Sequence, residues 1–493
     1  MDSLIRSLKP YLERIPSVER PKGHVHFRQK FMWTSVILLL YFILCNVPVF
    51  GLSEDSIDIF QAYRALFAGA TGSILALGIG PIVTASIILQ LLVGAGIIKL
   101  DLTNPDDRAA YQEFQRFLVF IMIAVEALPQ IWAGLLLPDL DLAEKLGVSP
   151  GFIASLIFIQ LFIGGVLIVY MDEVVSKWGI GSGVSLFILA GIAQAILVGL
   201  FNWIVPPGSV LPAGIIPRWI YFAQNYSLEQ LLSGSGIIML LLEGGILALV
   251  TTAVIILLVV FFEGTRVEIP IAHAMVRGAR GRFPIKLIYA SVLPMIFVRA
   301  LQANLIMIGQ ILHARGITVL GEFVDGHPVS GLMFYLSPIN SPYDWVPELV
   351  RSRGAAFAAI PDWAIYLHLL IDALILIAGG IIFAVFWVQT TGMDAKTVAN
   401  QIARSGMQIP GFRKSPVVLE KLFERYIPKV TIIGGALIGI LTLVSNMLGT
   451  IGNVSGTGLL LAVSIAYRFY EDLARQQITE MHPILRRVLG EER

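Results

Sequence analysis

The stretch GIGPIVTASIILQL, residues 78–91, opens with two glycines and a proline and then continues as an uninterrupted apolar run. Gly78, Gly80 and Pro81 weaken the start of a helix, because glycine is flexible and proline lacks a backbone N–H. The preceding residues, 57–72, are less apolar and too broken to cross a membrane. The stretch therefore predicts a half-helix or re-entrant piece that is separated from a true membrane span.

Apolar runs of about 20 residues, long enough to cross a hydrocarbon core of roughly 30 Å, recur on both sides of this stretch. Of the 493 residues, 56% are hydrophobic and 14% charged, whereas about 25% are charged in a typical soluble domain. Each run must be helical, because lipid offers no hydrogen bonds to the backbone. The sequence predicts ten spans, at residues 31–49, 73–98, 114–137, 151–171, 180–203, 237–262, 287–312, 364–390, 430–450 and 455–475.

The distribution of basic residues predicts how these spans are oriented. The segments outside the spans lie alternately on the two sides of the membrane. Of the 35 Lys and Arg residues, 28 lie in the segments of one side and their flanks, 6 lie in those of the other side, and Arg299 lies inside a span. The positive-inside rule assigns the basic set to the cytoplasm. We therefore expect both termini to be cytoplasmic. The N-terminal 30 residues lack the apolar core of a cleavable signal peptide, and the lone cysteine, Cys45, excludes an intramolecular disulfide.

The predicted fold class is an all-α integral membrane protein in which ten helices form two pseudo-symmetric halves, spans 1–5 and 6–10, around a central pore. An odd number of spans in each half inverts the second half relative to the first. The predicted parts are a cytoplasmic N-terminal segment 1–30, an N-terminal half 31–203, an external loop 204–236, a C-terminal half 237–475 with cytoplasmic loops 263–286 and 391–429, and a cytoplasmic tail 476–493.

Four further motifs join the opening stretch. They are MDEVVSKWGIGSGVSLF (171–187), GRFPIKLIYASVLPMIF (281–297), TTGMDAKTVANQIARSGMQIPGFRK (390–414) and GTGLLLAVSIAYRFYE (456–471). In their order and spacing, all five motifs resemble the SecY-type protein translocase channel subunit, in its archaeal or eukaryotic branch with the archaeal branch favoured. The likeness runs from about residue 20 to residue 488.

The resemblance implies a central pore-forming subunit that passes secretory polypeptides across the membrane and releases transmembrane segments laterally into lipid. It implies the cell membrane as the location, or the endoplasmic reticulum membrane if the chain is eukaryotic. The implied partners are small single-span subunits of the SecE or gamma type and of the beta type, the ribosome, signal sequences and nascent polypeptides, and the bilayer. The energy for transport would come from the ribosome or another motor.

Two pairs of aliphatic residues follow the glycines at the interrupted helix starts. Ile79 and Val83, like Ile180 and Val184, are spaced i and i+4, so each pair lies on one face of a helix. In the family these positions form the pore constriction, and the resemblance adds Leu293, Ile296 and Leu461. Such an apolar ring offers a passing chain no hydrogen bonds and can exclude water and ions by dewetting. The alternative is that these side chains only pack or face lipid.

The stretch 57–72 resembles the plug of the family, a short external helix beneath the pore ring. It is rich in small residues and only moderately apolar, which suits a helix that docks reversibly. The plug residues expected from this likeness are Phe60, Tyr63, Arg64, Leu66 and Phe67. The alternative is an ordinary external loop with one helical turn.

Spans 2 and 7 would form the lateral gate of such a channel, the seam that opens towards lipid. Thr84, Gln90 and Asn304 are the polar residues expected to cluster there. Hydrogen bonds between membrane helices are worth only about 1 kcal/mol, so a few of them could hold a seam that still opens. Alternatively, these side chains satisfy nearby backbone carbonyls.

The basic cytoplasmic loops are predicted to form a docking platform for the ribosome or another motor. The alternation in 263–286 predicts a β-hairpin, and basic clusters can contact RNA phosphates in a salt-dependent way. The candidate residues are Arg277, Arg280, Arg282, Arg404, Arg413 and Lys414. The resemblance singles out Arg277 and Arg413 as partner contacts. The alternative is that these charges only fix the topology.

An ion-coupled secondary transporter is the main alternative function, because broken helices and buried charges are typical of transporters. The charges in question are Glu126, Glu243, Arg299 and Asp372. A transporter should, however, converge polar groups on a midplane site, whereas these interrupted helices bring aliphatic residues together. An intramembrane enzyme built on Ser182 and His368 is disfavoured. We expect no catalytic residue, no metal site and no cofactor.

Overall fold

In this computed structural model, the described part of the chain contains ten long helices. The structure describes residues 16–23, 25–53, 56, 64–94, 97–98, 105–206, 209–273, 280–290, 292–324, 326–404, 407–408 and 416–481. The long helices are α1 (Phe27–Cys45), α2 (Gly80–Gly94), α3 (Pro105–Trp132), α4 (Pro150–Trp178), α5 (Gly183–Phe201), α6 (Ile246–Gly264), α7 (Leu293–Ala314), α8 (Asp362–Thr390), α9 (Pro416–Leu448) and α10 (Gly456–Met481). The all-α fold with ten spans is confirmed.

Within the described residues, eight of these helices are long and apolar enough to cross a membrane. The other two are α2, which has 15 residues, and α10, whose second half from Arg468 onwards is charged. At 1.5 Å per residue α2 is about 22 Å long, which is short of a hydrocarbon core of roughly 30 Å. The shortness of α2 agrees with the predicted interruption at its start.

Several span boundaries differ from the predicted ones, and in the second, sixth and seventh spans a glycine or a proline lies at the difference. Residues 73–79 form turns, so α2 begins at Gly80. Pro294 lies in the first turn of α7, where its missing N–H removes no helical hydrogen bond. The sixth span is broken: a helix Gly234–Leu242 ends before Gly245, which adopts a left-handed φ of 71°, and α6 begins at the next residue.

The helices of each half pack on their neighbours, and the two halves meet along two seams. In the N-terminal half α2 packs on α3, α3 on α4, and α1 on α4. In the C-terminal half α8 packs on α9, and α7 packs on α8. The seams are α2 against α7 and α8 on one side, and α5 against α10 on the other. The largest buried apolar cluster draws residues from helices of both halves, so it lies where the halves meet.

A hairpin of two strands, β1 (Arg266–His273) and β2 (Arg280–Lys286), connects α6 to α7. The strands are antiparallel, with Arg266 opposite Lys286 and Ala272 opposite Arg280. The predicted hairpin is therefore present, although its tip lies outside the described residues. A second cluster, which includes Ile285 and Phe423, packs the hairpin against α9 and the short helix Ala395–Arg404. We call the side of the membrane on which this hairpin lies the hairpin side.

The opposite side, called the loop side, carries the two long loops 204–236 and 313–363. The first loop contains the helices Ile215–Asn225 and Leu228–Leu231. The second contains a two-stranded sheet of β3 (Phe323–Val324) and β4 (His327–Pro328), followed by the short helices Gly331–Leu336, Pro347–Ser352 and Ala355–Ala358. A last strand, β5 (Met407–Gln408), pairs with β1 on the hairpin side.

Candidate functional site

The aliphatic residues expected to form the pore ring lie at or just before the starts of four helices. Ile79 and Val83 lie at the start of α2, Ile180 and Val184 at the start of α5, Leu293 and Ile296 in the first turn of α7, and Leu461 in the second turn of α10. The main apolar cluster contains Ile79, Val83, Ile296 and Leu461, and Val184 and Leu293 pack against it. Ile180 is buried but is not a member of this cluster.

Two cavities lie on either side of this cluster. The smaller, about 180 Å³, is on the hairpin side and is lined by Ser185, Leu293 and Leu461 among others. The larger, about 1350 Å³, is on the loop side and is lined by residues that include Asn202 and Gln310.

Helices α5 and α7 each line both cavities, at opposite ends of the helix. On α7, Leu293 lines the smaller cavity and Ile306 the larger one. Those two residues are about 20 Å apart along the helix axis. On α5, Ser185 lines the smaller cavity and Gly199 the larger one, while Leu461 on α10 lines the smaller cavity and Val454, just before that helix, lines the larger one. The apolar cluster therefore separates two cavities that open from opposite sides.

The segment before α2 is buried in the same cluster. A short helix, Arg64–Phe67, ends in Leu66 and Phe67, which are 1% and 5% exposed. The backbone N–H of Ile79 donates to the Phe67 carbonyl at 2.7 Å, and the Tyr41 hydroxyl donates to the Ala68 carbonyl at 2.9 Å. Of the other expected plug residues, Phe60 and Tyr63 lie outside the described residues, and only the backbone of Arg64 is described.

Gly78 is the residue that permits this close approach. Its φ of 56° lies in the left-handed region, and a side chain there would place its Cβ 2.2 Å from the Phe67 carbonyl oxygen. Glycine is therefore required where the short helix meets the start of α2. The interrupted sequence that weakens α2 also allows the segment before it to pack against Ile79.

The start of α5 is held by side chains from two other helices. The Val184 N–H donates to Asp172 Oδ1 at 2.9 Å, and the Ile180 N–H donates to Thr34 Oγ1 at 3.0 Å. Asp172 thus caps a helix whose own N-cap residue, Ser182, makes no side-chain cap. Sequence reasoning missed Asp172, Thr34 and Tyr41, because each bonds to the backbone of a distant segment and no spacing reveals such a contact.

A polar chain crosses the seam between α2 and α7. Asn304 Nδ2 on α7 donates to Thr84 Oγ1 on α2 at 3.1 Å. Thr84 Oγ1 lies 2.9 Å from Glu126 Oε1 on α3 and 3.0 Å from the Gly80 carbonyl. Of the three gate candidates, Thr84 and Asn304 are therefore brought together. Gln90 is buried further along α2, and its Oε1 has no partner within the described part of the chain.

The side chains of two expected docking residues are described, one on the hairpin and one on the neighbouring short helix. Arg282 Nη1 donates to Glu268 Oε2 at 2.5 Å, and both side chains are exposed. This hydrogen bond to the Glu268 carboxylate raises the pKa of Arg282 above its ordinary value. Arg404 is exposed at the end of the helix Ala395–Arg404. Arg280 begins β2, and its side chain is not described. Arg277, Arg413 and Lys414 lie outside the described residues.

The hairpin base is tied to α10. Glu471 on α10 accepts from Arg266 Nη2 at 2.9 Å through one oxygen and from Lys286 Nζ at 2.8 Å through the other. Because Leu461 lies on the same helix, the hairpin is anchored to an element that also contributes to the apolar cluster.

Comparison with known proteins decides the family. The SecY profile matches residues 73–470, and the profile for the plug domain of Sec61p matches residues 39–72. The protein translocase subunit SecY of Archaeoglobus fulgidus is 81% identical over the full length of both chains. The chain belongs to the SecY family. The resemblance given by the five motifs is thereby confirmed.

Solved structures of SecY-family channels share this fold. A structure of a protein-conducting channel superposes with a TM-score of 0.76 at 38% identity, covering 97% of this chain and 98% of that one. Sec61 in the canine ribosome–channel complex superposes with a TM-score of 0.74, also at 38% identity and with the same coverage. As a member of the SecY family, the chain is a multi-pass membrane protein.

Two of the buried charges of this SecY-family chain, which are also typical of a transporter, form an ion pair with each other. Arg299 Nη1 on α7 lies 3.2 Å from Asp372 Oδ1 on α8, and these side chains are 1% and 0% exposed. The same guanidinium donates to Gln302 Oε1 at 2.7 Å and to Thr457 Oγ1 on α10 at 3.2 Å. This network joins three helices of the C-terminal half.

Proposed function

We propose that the chain is the central pore-forming subunit of a protein-conducting channel, which passes secretory polypeptides across the membrane and releases transmembrane segments laterally into lipid. The observation that carries the proposal is the apolar cluster between two cavities that open from opposite sides. A polypeptide that crosses from one cavity to the other must part this cluster. The secondary transporter is disfavoured, because Arg299 and Asp372 bind each other rather than face a shared substrate cavity.

In this proposal the seven aliphatic residues form the constriction. Their side chains offer no hydrogen bonds, so a polypeptide of any sequence can slide past them, while water and ions are excluded by dewetting when the channel is idle. The burial of Ile79, Ile296 and Leu461 supports a closed state. Leu66 and Phe67 would close the loop side of the ring as the end of the plug.

The lateral exit would open between α2 and α7. Asn304 and Thr84 make a single described side-chain hydrogen bond across this seam, and membrane hydrogen bonds of this kind average about 0.6 kcal/mol. Such a weak bond suits a gate, because an apolar segment bound in the seam can replace it. When the gate opens, Thr84 loses the bond that it accepts from Asn304 but can still donate to Glu126 or to the Gly80 carbonyl.

The hairpin and the neighbouring helix Ala395–Arg404 would be the docking platform for the ribosome or another motor, with Arg282 and Arg404 among the contacts. This assignment makes the hairpin side cytoplasmic, together with both termini, in agreement with the positive-inside rule. The second apolar cluster beneath the hairpin supports this role, because it gives the basic residues a rigid base. Small single-span subunits would complete the complex.

Site-specific photo-crosslinking tests the proposed pathway. A crosslinker replaces Ile180 or Ile296 while a secretory chain is stalled in transit, and a matched control places it at Leu257, which is 71% exposed on α6. We expect the two pore positions to label the stalled chain and Leu257 to label lipid. Lipid labelling alone at Ile180 and Ile296 would reject the pore. Ion-driven uptake of a small solute by vesicles would favour the transporter instead.

A further inference from the structure

The helix Ile215–Asn225 on the loop side exposes an apolar face, which is unusual for a surface helix in water. Ile216, Trp219, Ile220 and Ala223 follow the i, i+3, i+4, i+7 spacing of one helix face, and Trp219 and Ile220 are 37% and 40% exposed. A surface helix in water normally turns its apolar stripe towards the protein. We propose that this helix lies in the membrane interface, with this stripe, residues 216, 219, 220 and 223, against the lipid of the leaflet on the loop side.

Hydrogen bonds from the Arg218 guanidinium and the Trp219 indole fix this orientation. The Arg218 guanidinium donates to the Pro212 carbonyl at 2.7 Å and to the Glu243 carbonyl at 2.8 Å. Trp219 Nε1 donates to the Gly244 carbonyl at 2.8 Å. The bonds to Glu243 and Gly244 satisfy backbone acceptors that the break before α6 leaves without helical partners. They also hold the positive charge of Arg218 on the protein side of the helix, away from the stripe.

The position of the break sets the depth of the helix. Helix α6 has 19 residues and is therefore about 28 Å long, close to the roughly 30 Å of a hydrocarbon core. Its first residue, Ile246, then lies near the edge of that core. Because Arg218 and Trp219 bond to Glu243 and Gly244, just before that edge, the helix Ile215–Asn225 lies at the level of the lipid headgroups.

The surroundings of the stripe favour lipid over a second protein. The outer face of α6 exposes Val250, Val254 and Leu257, and Trp219 of the stripe bonds to Gly244, at the loop-side end of that helix. Exposed apolar side chains extend well beyond the helix, at Ile204, Val210, Leu228 and Leu232, rather than lining a groove. Residues 204–236 carry only two charges, Arg218 and Glu229, and four aromatic residues besides Trp203. Aromatic residues with few charges are typical of a membrane interface.

Spin labelling tests the proposal in the full-length channel with its partner subunits, reconstituted in vesicles. Because Cys45 is the lone cysteine, a Cys45→Ser background allows one nitroxide at Ile220→Cys, on the stripe, and another at Asn225→Cys, on the opposite face, as the matched control. We expect the label at 220 to be relaxed mainly by oxygen dissolved in the bilayer, at a depth of about 5–10 Å below the headgroup boundary. The label at 225 should be relaxed mainly by a water-soluble nickel complex.

Two results would overturn the proposal. If both labels respond equally to the nickel complex, the stripe faces water. If the label at 220 is shielded from oxygen and nickel alike, a protein subunit covers the stripe instead of lipid. Should the Cys45→Ser background fail to fold, Cys45 is kept and the spectrum of the chain labelled at Cys45 alone is subtracted.

Discussion

Asn304 on α7 donates a hydrogen bond of 3.1 Å to the hydroxyl of Thr84 on α2, across one of the two seams where the halves of the molecule meet. The bond matters because it joins helices that a lateral gate has to separate. Its partner Thr84 also lies one turn from Gly80, at the weakened start of the shortest long helix, α2. Among the described side chains, this is the hydrogen bond that joins α2 and α7.

The first prediction concerns this bond. Asn304→Leu should lower the hydrophobicity that a nascent segment needs to leave the channel, because the seam loses a bond worth about 0.6–1 kcal/mol, or roughly threefold to fivefold in the opening equilibrium. Membrane insertion of a graded series of segments measures this threshold. Ser86→Ala is the matched control, since Ser86 on α2 accepts from Gln115 on α3 and does not face α7. An unchanged threshold in Asn304→Leu would remove this residue from the gate.

The second prediction concerns the seat of the plug. Tyr41→Phe deletes the hydroxyl that donates to the Ala68 carbonyl at 2.9 Å and leaves the aromatic ring in place. A hydrogen bond of this kind contributes about 0.5–1.5 kcal/mol, so the plug should leave its seat roughly threefold to tenfold more often. Ion conductance of idle channels in planar bilayers measures the effect. Tyr470→Phe, at a position 70% exposed on α10, should leave the conductance unchanged, and equal leak in the two variants would argue against a seat at Ala68.

Hydropathy predicted the ten spans because transfer into lipid is a property of each side chain, summed along the run. The same sum misses the break before α6, because Gly244 and Gly245 lower the hydropathy of the run only slightly. The break depends instead on a left-handed φ at Gly245 and on carbonyls satisfied by Arg218 and Trp219. Such compensation comes from another segment and cannot be seen in a local window.

The site was predictable to the extent that it consists of residues at helix starts. The glycines near Ile79 and Ile180 marked both positions, and the family resemblance supplied Leu293, Ile296 and Leu461. The side chains that hold these starts, such as Asp172 and Thr34, come from α4 and α1. Their partners are backbone N–H groups, which carry no sequence signal, so only the structure reveals them.

The third prediction concerns the pair Arg299 and Asp372. Asp372→Leu should destabilise the channel by about 3–5 kcal/mol, because it leaves a buried guanidinium without its counter-charge. The double variant Arg299→Met with Asp372→Leu should recover much of this loss, since no isolated charge remains. Thermal unfolding in detergent measures both. If the loss of stability in the double variant equals the sum of the losses in the two single variants, the two residues do not act as a pair.

The fourth prediction concerns docking on the hairpin side. Arg282→Glu combined with Arg404→Glu should weaken ribosome binding and flatten its dependence on salt, because fewer phosphate contacts release fewer counterions. The control is Lys145→Glu, an exposed change of the same sign on the loop side. Binding of ribosomes to reconstituted channels over a range of salt concentrations gives both quantities. An equal loss in the control would indicate a general charge effect rather than a docking surface.

The last prediction concerns alkaline pH. Tyr289 lies between β2 and α7, and its hydroxyl donates to the Met393 carbonyl at 2.8 Å, which ties the hairpin to the end of α8. Burial raises the pKa of Tyr289 to about 12, above the value of about 10 for an unfolded tyrosine. Below about pH 10 both states hold the proton, and the stabilising contribution of Tyr289 is complete. Between about pH 10 and 12 the unfolded state loses the proton first, so stability falls as pH rises.

The slope from this one proton can reach about 1.4 kcal/mol for each pH unit. Tyr289→Phe should be less stable than the parent at neutral pH and should lose stability less steeply between pH 10 and 12. Comparing the two slopes isolates Tyr289 from the other tyrosines, because the remaining groups titrate in both proteins. Tyr470→Phe, which removes an exposed hydroxyl, serves as the control and should keep the parent slope. Parallel curves for Tyr289→Phe and the parent would mean that the hydroxyl ionises in the folded channel as readily as in the unfolded chain, and that its bond to Met393 contributes little to holding the hairpin.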